Sequence, residues 1–116
     1  GSRLALSGSG DILAVGAQLE DSSARGIDGE QGNDSATEAG AVYLFARSGD
    51  TWAQTAYMKG SNTEPFDEFG SSLSLNRDGS LIAIGAQYED STAVGIGGDQ
   101  ADNFGFDTGA VYLFSR

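Results

Sequence analysis

The sequence predicts an all-β chain in which one antiparallel sheet is written twice, and three observations carry that reading. Residues 1–47 align without a gap on residues 70–116, and 24 of the 47 aligned pairs are identical. Short alternating or apolar runs are separated by turns rich in glycine, with 18 Gly and 1 Pro in 116 residues. No segment of useful length shows the 3.6-residue period of a helix. Self-similarity at a fixed offset marks a stacked repeat architecture.

Each copy opens on a short strand. Ser2–Leu6 alternates, with Leu4 and Leu6 on one face, and Ser72–Leu75 repeats the pattern. Turns follow at Ser7-Gly8-Ser9-Gly10 and at Arg77-Asp78-Gly79-Ser80; Asp-Gly is a hairpin signal because both residues tolerate positive φ. Ile12–Ala17 and Leu81–Ala86 are apolar on both faces, which predicts central strands covered on both sides. The small residues Ala14, Gly16 and Ala17 let a neighbouring layer approach closely. Long loops follow, Gln18–Ala39 and Gln87–Thr108, and then third strands, Ala41–Arg47 and Ala110–Arg116. Only the first copy shows a fourth strand, Thr51–Lys59, whose mixed faces suit an outer edge with Lys59 blocking unwanted pairing.

Four antiparallel strands per repeated unit describe blades of a β-propeller. A seven-stranded sandwich is the competing fold, but it does not explain why one strand set recurs. The expected division is a first blade at 1–60, an inter-blade linker at 61–69 and a second, three-stranded blade at 70–116. Phe66 and Phe69 are expected to plug the seam between blades, and Tyr43, Phe45, Tyr112 and Phe114 to pack there.

Phe69-Gly70 opens the second copy, Asp78-Gly79 and Gly85-Ala86 follow, and Gly109-Ala110-Val111-Tyr112-Leu113-Phe114 closes it. In this order the motifs resemble the FG-GAP repeat of integrin-α-type propellers, in the versions found in bacterial surface and secreted proteins. Trp52-Ala53-Gln54 through Lys59, with Gly60-Ser61-Asn62, is similar to the outer strand and linker of that family. The resemblance implies blades of a propeller of about seven, of which this chain holds about two, and a place outside the cell or on its surface. It also implies that the chain is a piece of a longer protein, with the second blade stopping before its outer strand. The departures are Gln18 and Gln87 where the family's motif has proline, and long loops without the Asp-x-Asp-x-Asp-Gly calcium spacing.

Composition narrows the chemistry. Lys plus Arg is 6 against 17 Asp plus Glu, a formal charge of −11. That argues against nucleic acid and against docking on an anionic membrane. No apolar run reaches the ~20 residues of a membrane span. There is no Cys and no His, so thiolate chemistry and the commonest general base are absent. Glu20-Asp21 and Glu89-Asp90 are adjacent pairs that point apart, poor acid/base dyads, and their recurrence favours capping a turn. The expectation is therefore a non-enzyme.

The long loops hold 11 of the 17 acidic residues. Ca²⁺ wants six to eight oxygens, which Asp, Asn and carbonyl-rich loops can supply. The candidate ligands are Asp28, Glu30, Asn33 and Asp34, with Asp99, Asp102 and Asn103 as their counterparts; the alternative is a solvated surface loop. Loop residues 32–39 share nothing with 101–108, whereas 40–45 match 109–114 fully. A constant scaffold with individual loops predicts a binding or adhesion module with a protein or glycan ligand at the loop face. A structural scaffold of a larger surface protein is the second reading. The apolar edge Val111–Phe114 is expected to drive self-association.

Overall fold

The computed structural model describes residues 1–116 and contains seven strands and no helix. They are β1 Arg3–Leu6, β2 Ile12–Ala17, β3 Ala41–Ser48, β4 Thr51–Met58, β5 Phe69–Leu75, β6 Leu81–Ala86 and β7 Ala110–Ser115. Two antiparallel sheets result, ordered β1-β2-β3-β4 and β5-β6-β7. This is the blade-like repeat the sequence predicts. The registers repeat as well: Ala14 pairs with Leu44, and Ala83 with Leu113.

Side chains and backbone close the first hairpin of each sheet by equivalent means. Ser7 Oγ accepts from the Ile12 amide at 3.1 Å, and Asn76 Oδ1 accepts from the Leu81 amide at 3.0 Å. Short polar side chains at such turns replace backbone partners that the strands cannot supply.

The core lies between the two sheets. Ile12, Ala14, Val42, Leu44 and Met58 of the first meet Phe69, Ile82, Ile84 and Ala86 of the second, all buried. Phe69 is the key element of the seam: its ring stands edge-on to Tyr112 at 5.3 Å and to Phe114 at 6.3 Å. Edge-to-face pairs of this kind add to the area they bury. Close approach of the main chains explains the glycines. A Cβ on Gly16 would collide with the Gly70 carbonyl, and one on Gly40 with the backbone of Phe69. Gly40 also sits at φ +82°, a region that disfavours side chains.

The outward faces differ in cover. Val111 and Leu113 are 71% and 68% exposed, although their repeats Val42 and Leu44 are buried. Tyr43 and Phe45 are half-buried on the outer face of the first sheet, so the seam holds Tyr112 and Phe114 and not this pair.

Three local expectations are corrected. Phe69 is the first residue of β5, so the linker is Lys59–Glu68. Phe66 is 57% exposed at φ +71° and does not enter the seam. Its amide is tied to the Thr37 carbonyl at 2.8 Å, which turns the ring outward along the first loop. Lys59 guards no edge: it is wholly buried, with Nζ 2.9 Å from Glu20 Oε2. The edge of β4 is covered instead by the first long loop, where Ile27 bridges to Met58.

Candidate binding face

The two long loops share one internal framework. Glu20 Oε2 accepts from the Ser22 amide, and Glu89 Oε2 from the Ser91 amide, both at 3.1 Å. Asp21 Oδ1 accepts from the Glu38 amide, and Asp90 Oδ1 from the Asp107 amide, both at 2.8 Å. The repeated Glu-Asp-Ser therefore folds the loop onto itself, consistent with a capping role. Glu20, Lys59, Tyr43 and Tyr57 cluster at the base of the first loop. Burial raises the pKa of both tyrosines, with the negative charge of Glu20 adding to it. Burial lowers that of Lys59, and Glu20 counters the shift. The Tyr57 hydroxyl is buried without a hydrogen-bond partner.

Most of the seven residues read as possible cation ligands make separate hydrogen bonds within their loops. Asp28 Oδ1 accepts from the Tyr57 amide at 2.9 Å, capping the end of β4. Asn33 Oδ1 accepts from the Ser23 amide, and its Nδ2 donates to Ser22 Oγ. Glu30 offers its backbone carbonyl to Ser22 Oγ, and Asp99 offers its own to Ser91 Oγ. Asp102 stands at the Asn33 position and accepts from Thr92 and Phe104; the Thr92 amide contributes most to holding its pKa below the usual range. Asn103 donates to Glu64, and Asp34 is exposed. No three of the Asp and Glu side chains converge on one point.

Where the linker crosses the loops, a shallow cleft of about 440 Å³ opens. Glu38, Glu68, Asp90 and Asp107 line it, with Phe66 and Tyr88. Behind it, Asp67 is buried beside Glu89, Glu64 and Asp90. Burial, reinforced by those charges, lifts its carboxyl to about 7.

The family model for the FG-GAP repeat matches residues 52–114, more than half of the chain. The protein belongs to the FG-GAP repeat family. No curated protein and no solved structure matches it. FG-GAP repeats are non-enzymatic and usually occur in extracellular or surface proteins. The match begins inside β4 and ends in β7, so the family's unit joins the outer strand of one sheet to the three strands of the next.

Within this FG-GAP chain the halves diverge at the loop tips. Phe104 and Phe106 are 90% and 88% exposed where the first loop has Ser35 and Thr37. Sequence reasoning passed over both phenylalanines. The signal available was two aromatics in a polar loop at positions where the repeat fails to match. Exposed aromatics of this kind mark interaction surfaces more often than isolated aliphatic residues do.

Proposed function

We propose that the protein is an extracellular or cell-surface binding module that engages a protein or glycan through the tip of its second long loop. One observation carries this reading. The loops keep the same hydrogen-bonded Glu-Asp-Ser framework, yet the second displays Phe104 and Phe106 to solvent on it. A scaffold that spends no core on two phenylalanines leaves them for a partner. The cleft beside them carries four carboxylates, which favours a partner with basic groups at its rim.

The test is a printed array of matrix proteins and glycans probed with the chain and with the F104S/F106T double variant, which restores the first loop's residues. The expected result is capture by one ligand class, lost in the double variant at unchanged Tm. Absence of capture, or capture indifferent to the substitutions, overturns the proposal.

A scaffold role is favoured by a separate feature. The open face of the second sheet, with Val111 and Leu113, repeats the face of the first sheet that is buried in the seam. Sheets could stack further on that face. Light scattering that shows association, abolished by V111K, supports this second reading; a clean monomer rejects it for this chain.

A further inference from the structure

The linker and the start of β5 hold the two long loops in different ways. The first loop is tied by main-chain bonds: the Phe66 amide donates to the Thr37 carbonyl at 2.8 Å, Glu68 to Glu38 at 3.1 Å and Phe69 to Ala39 at 2.9 Å. Between the linker and the second loop a single main-chain bond forms, from the Tyr88 amide to the Asp67 carbonyl, and it is long at 3.4 Å. Side chains make the other ties. Asn62 Nδ2 donates to Glu89 Oε1 at 3.0 Å and to the Gln100 carbonyl at 3.1 Å, and Gln87 Nε2 donates to Glu68 Oε2 at 2.6 Å. Asn103 donates to Glu64. Carboxylates of Glu64, Glu68 and Glu89 are among these acceptors, so the junction responds to any charge that appears beside it.

Asp67 sits at that junction. It is 7% exposed, its Oδ2 accepts from the Glu64 amide at 3.0 Å, and its carbonyl holds Tyr88. The charged groups that face it are Glu64 and Lys59 of the linker and Glu89 and Asp90 of the second loop; the hydroxyl of Tyr112 on β7 also feels its charge. Lys59 is engaged by Glu20 at 2.9 Å, which leaves the acids beside Asp67 without a cation of their own. Burial, with the charges of Glu89, Glu64 and Asp90 behind it, raises the Asp67 carboxyl to about 7 against the lowering pull of the Glu64 amide. Once ionised, it is a buried charge facing others of the same sign. Parting the loop from the linker relieves both the repulsion and the desolvation.

We propose that Asp67 is a proton-operated latch: with its proton it holds the linker against the second long loop, and without it residues 88–108 swing free while residues 19–39 stay in place. The open form exposes Asp67 to water, where the proton leaves more readily, so rising pH favours opening. The first loop has no such group, because Glu20 meets Lys59 there and amides tie the loop to the linker. The latch acts on the segment that carries Phe104 and Phe106, and it stands whether or not those rings meet the partner proposed above.

Hydrogen–deuterium exchange of the 116-residue chain, read by mass spectrometry and corrected for intrinsic rates, tests this at about pH 5.5 and about pH 8.5. Protection of residues 88–108 is expected to fall about tenfold or more at the higher pH, the scale set by a carboxyl that titrates near 7 closed and near 3.8 open. Protection of residues 19–39 and of β2 and β6 is expected to stay within about twofold. D67N is expected to remove the pH dependence of the second loop. Equal protection of residues 88–108 at the two pH values overturns the proposal, as does a parallel loss in both loops. A D67N chain that keeps the pH-dependent loss overturns it as well. Where D67N does not fold, the comparison of the two loops in the unmodified chain still decides.

Discussion

The two halves of the molecule hold the same glutamate in different company. Glu20 faces a wholly buried lysine, whereas Glu89 accepts from Asn62 and adds its charge to the surroundings of the buried Asp67. The sequence around each is nearly the same; the difference comes from what packs above it. In the first half β4 brings Lys59 across, and in the second the linker brings Asn62. A repeated motif thus fixes the geometry of a carboxylate, while the neighbouring strand fixes its electrostatics.

The largest expected effects break the first half. Glu20→Gln leaves Lys59 buried without its counter-charge and is expected to cost about 3–5 kcal/mol in urea unfolding. Glu89→Gln should cost much less, since no buried cation depends on it. Equal losses for the two substitutions would refute the contrast. The double change E20Q/K59M, which removes both charges, is expected to recover most of the loss.

The seam supplies a second contrast of similar size. Phe69→Ala empties the space between Tyr112 and Phe114 and is expected to cost about 3–5 kcal/mol. Phe66→Ala, three residues away and exposed, should stay within about 0.5 kcal/mol. Differential scanning calorimetry of the pair settles which phenylalanine holds the sheets together.

A smaller effect sharpens the electrostatics of the second half. Asp67 titrates at about 7 when folded and near 3.8 in its ordinary state. The folded chain therefore keeps a proton that the unfolded chain has released between those values. Stability from this group is complete below about pH 4 and declines as pH rises through 7. Glu89, Glu64 and Asp90 push in this direction, and the charge of Asp67 in turn acts to raise the pKa of Lys59. The expected loss between pH 5 and pH 8 is on the order of 2–4 kcal/mol, and Asp67→Asn should flatten the profile. A profile that the substitution leaves unchanged would assign the slope elsewhere.

Most of the fold was legible in the sequence because its signals are local. Alternation and the Gly-Ala-Val-Tyr-Leu-Phe block locate the strands to within three residues, the widest miss being the start of β5, and the offset of the copies gives two sheets. The small residues announced the close seam, as Gly16 against Gly70 shows. What stayed hidden depends on distant pairing. Lys59 read as an edge guard because its partner Glu20 lies 39 residues earlier. The bonds by which Asp28, Asn33 and Asp102 tie their loops were equally out of view, since each joins residues 10 to 29 positions apart. Phe66 and Phe69 could not be separated by residue type; the backbone bonds of residues 66–69 to 37–39 decide which ring turns inward.

The meeting of Gly16 with Gly70 has a mechanical meaning. Two main chains touching directly have no rotamers to adjust, so the tilt of one sheet on the other is set by peptide geometry and resists side-chain fluctuation. The loops are rooted in those sheets and inherit that stiffness. A partner arriving at their tips would meet a surface already in place, and little ordering entropy would be charged against its affinity.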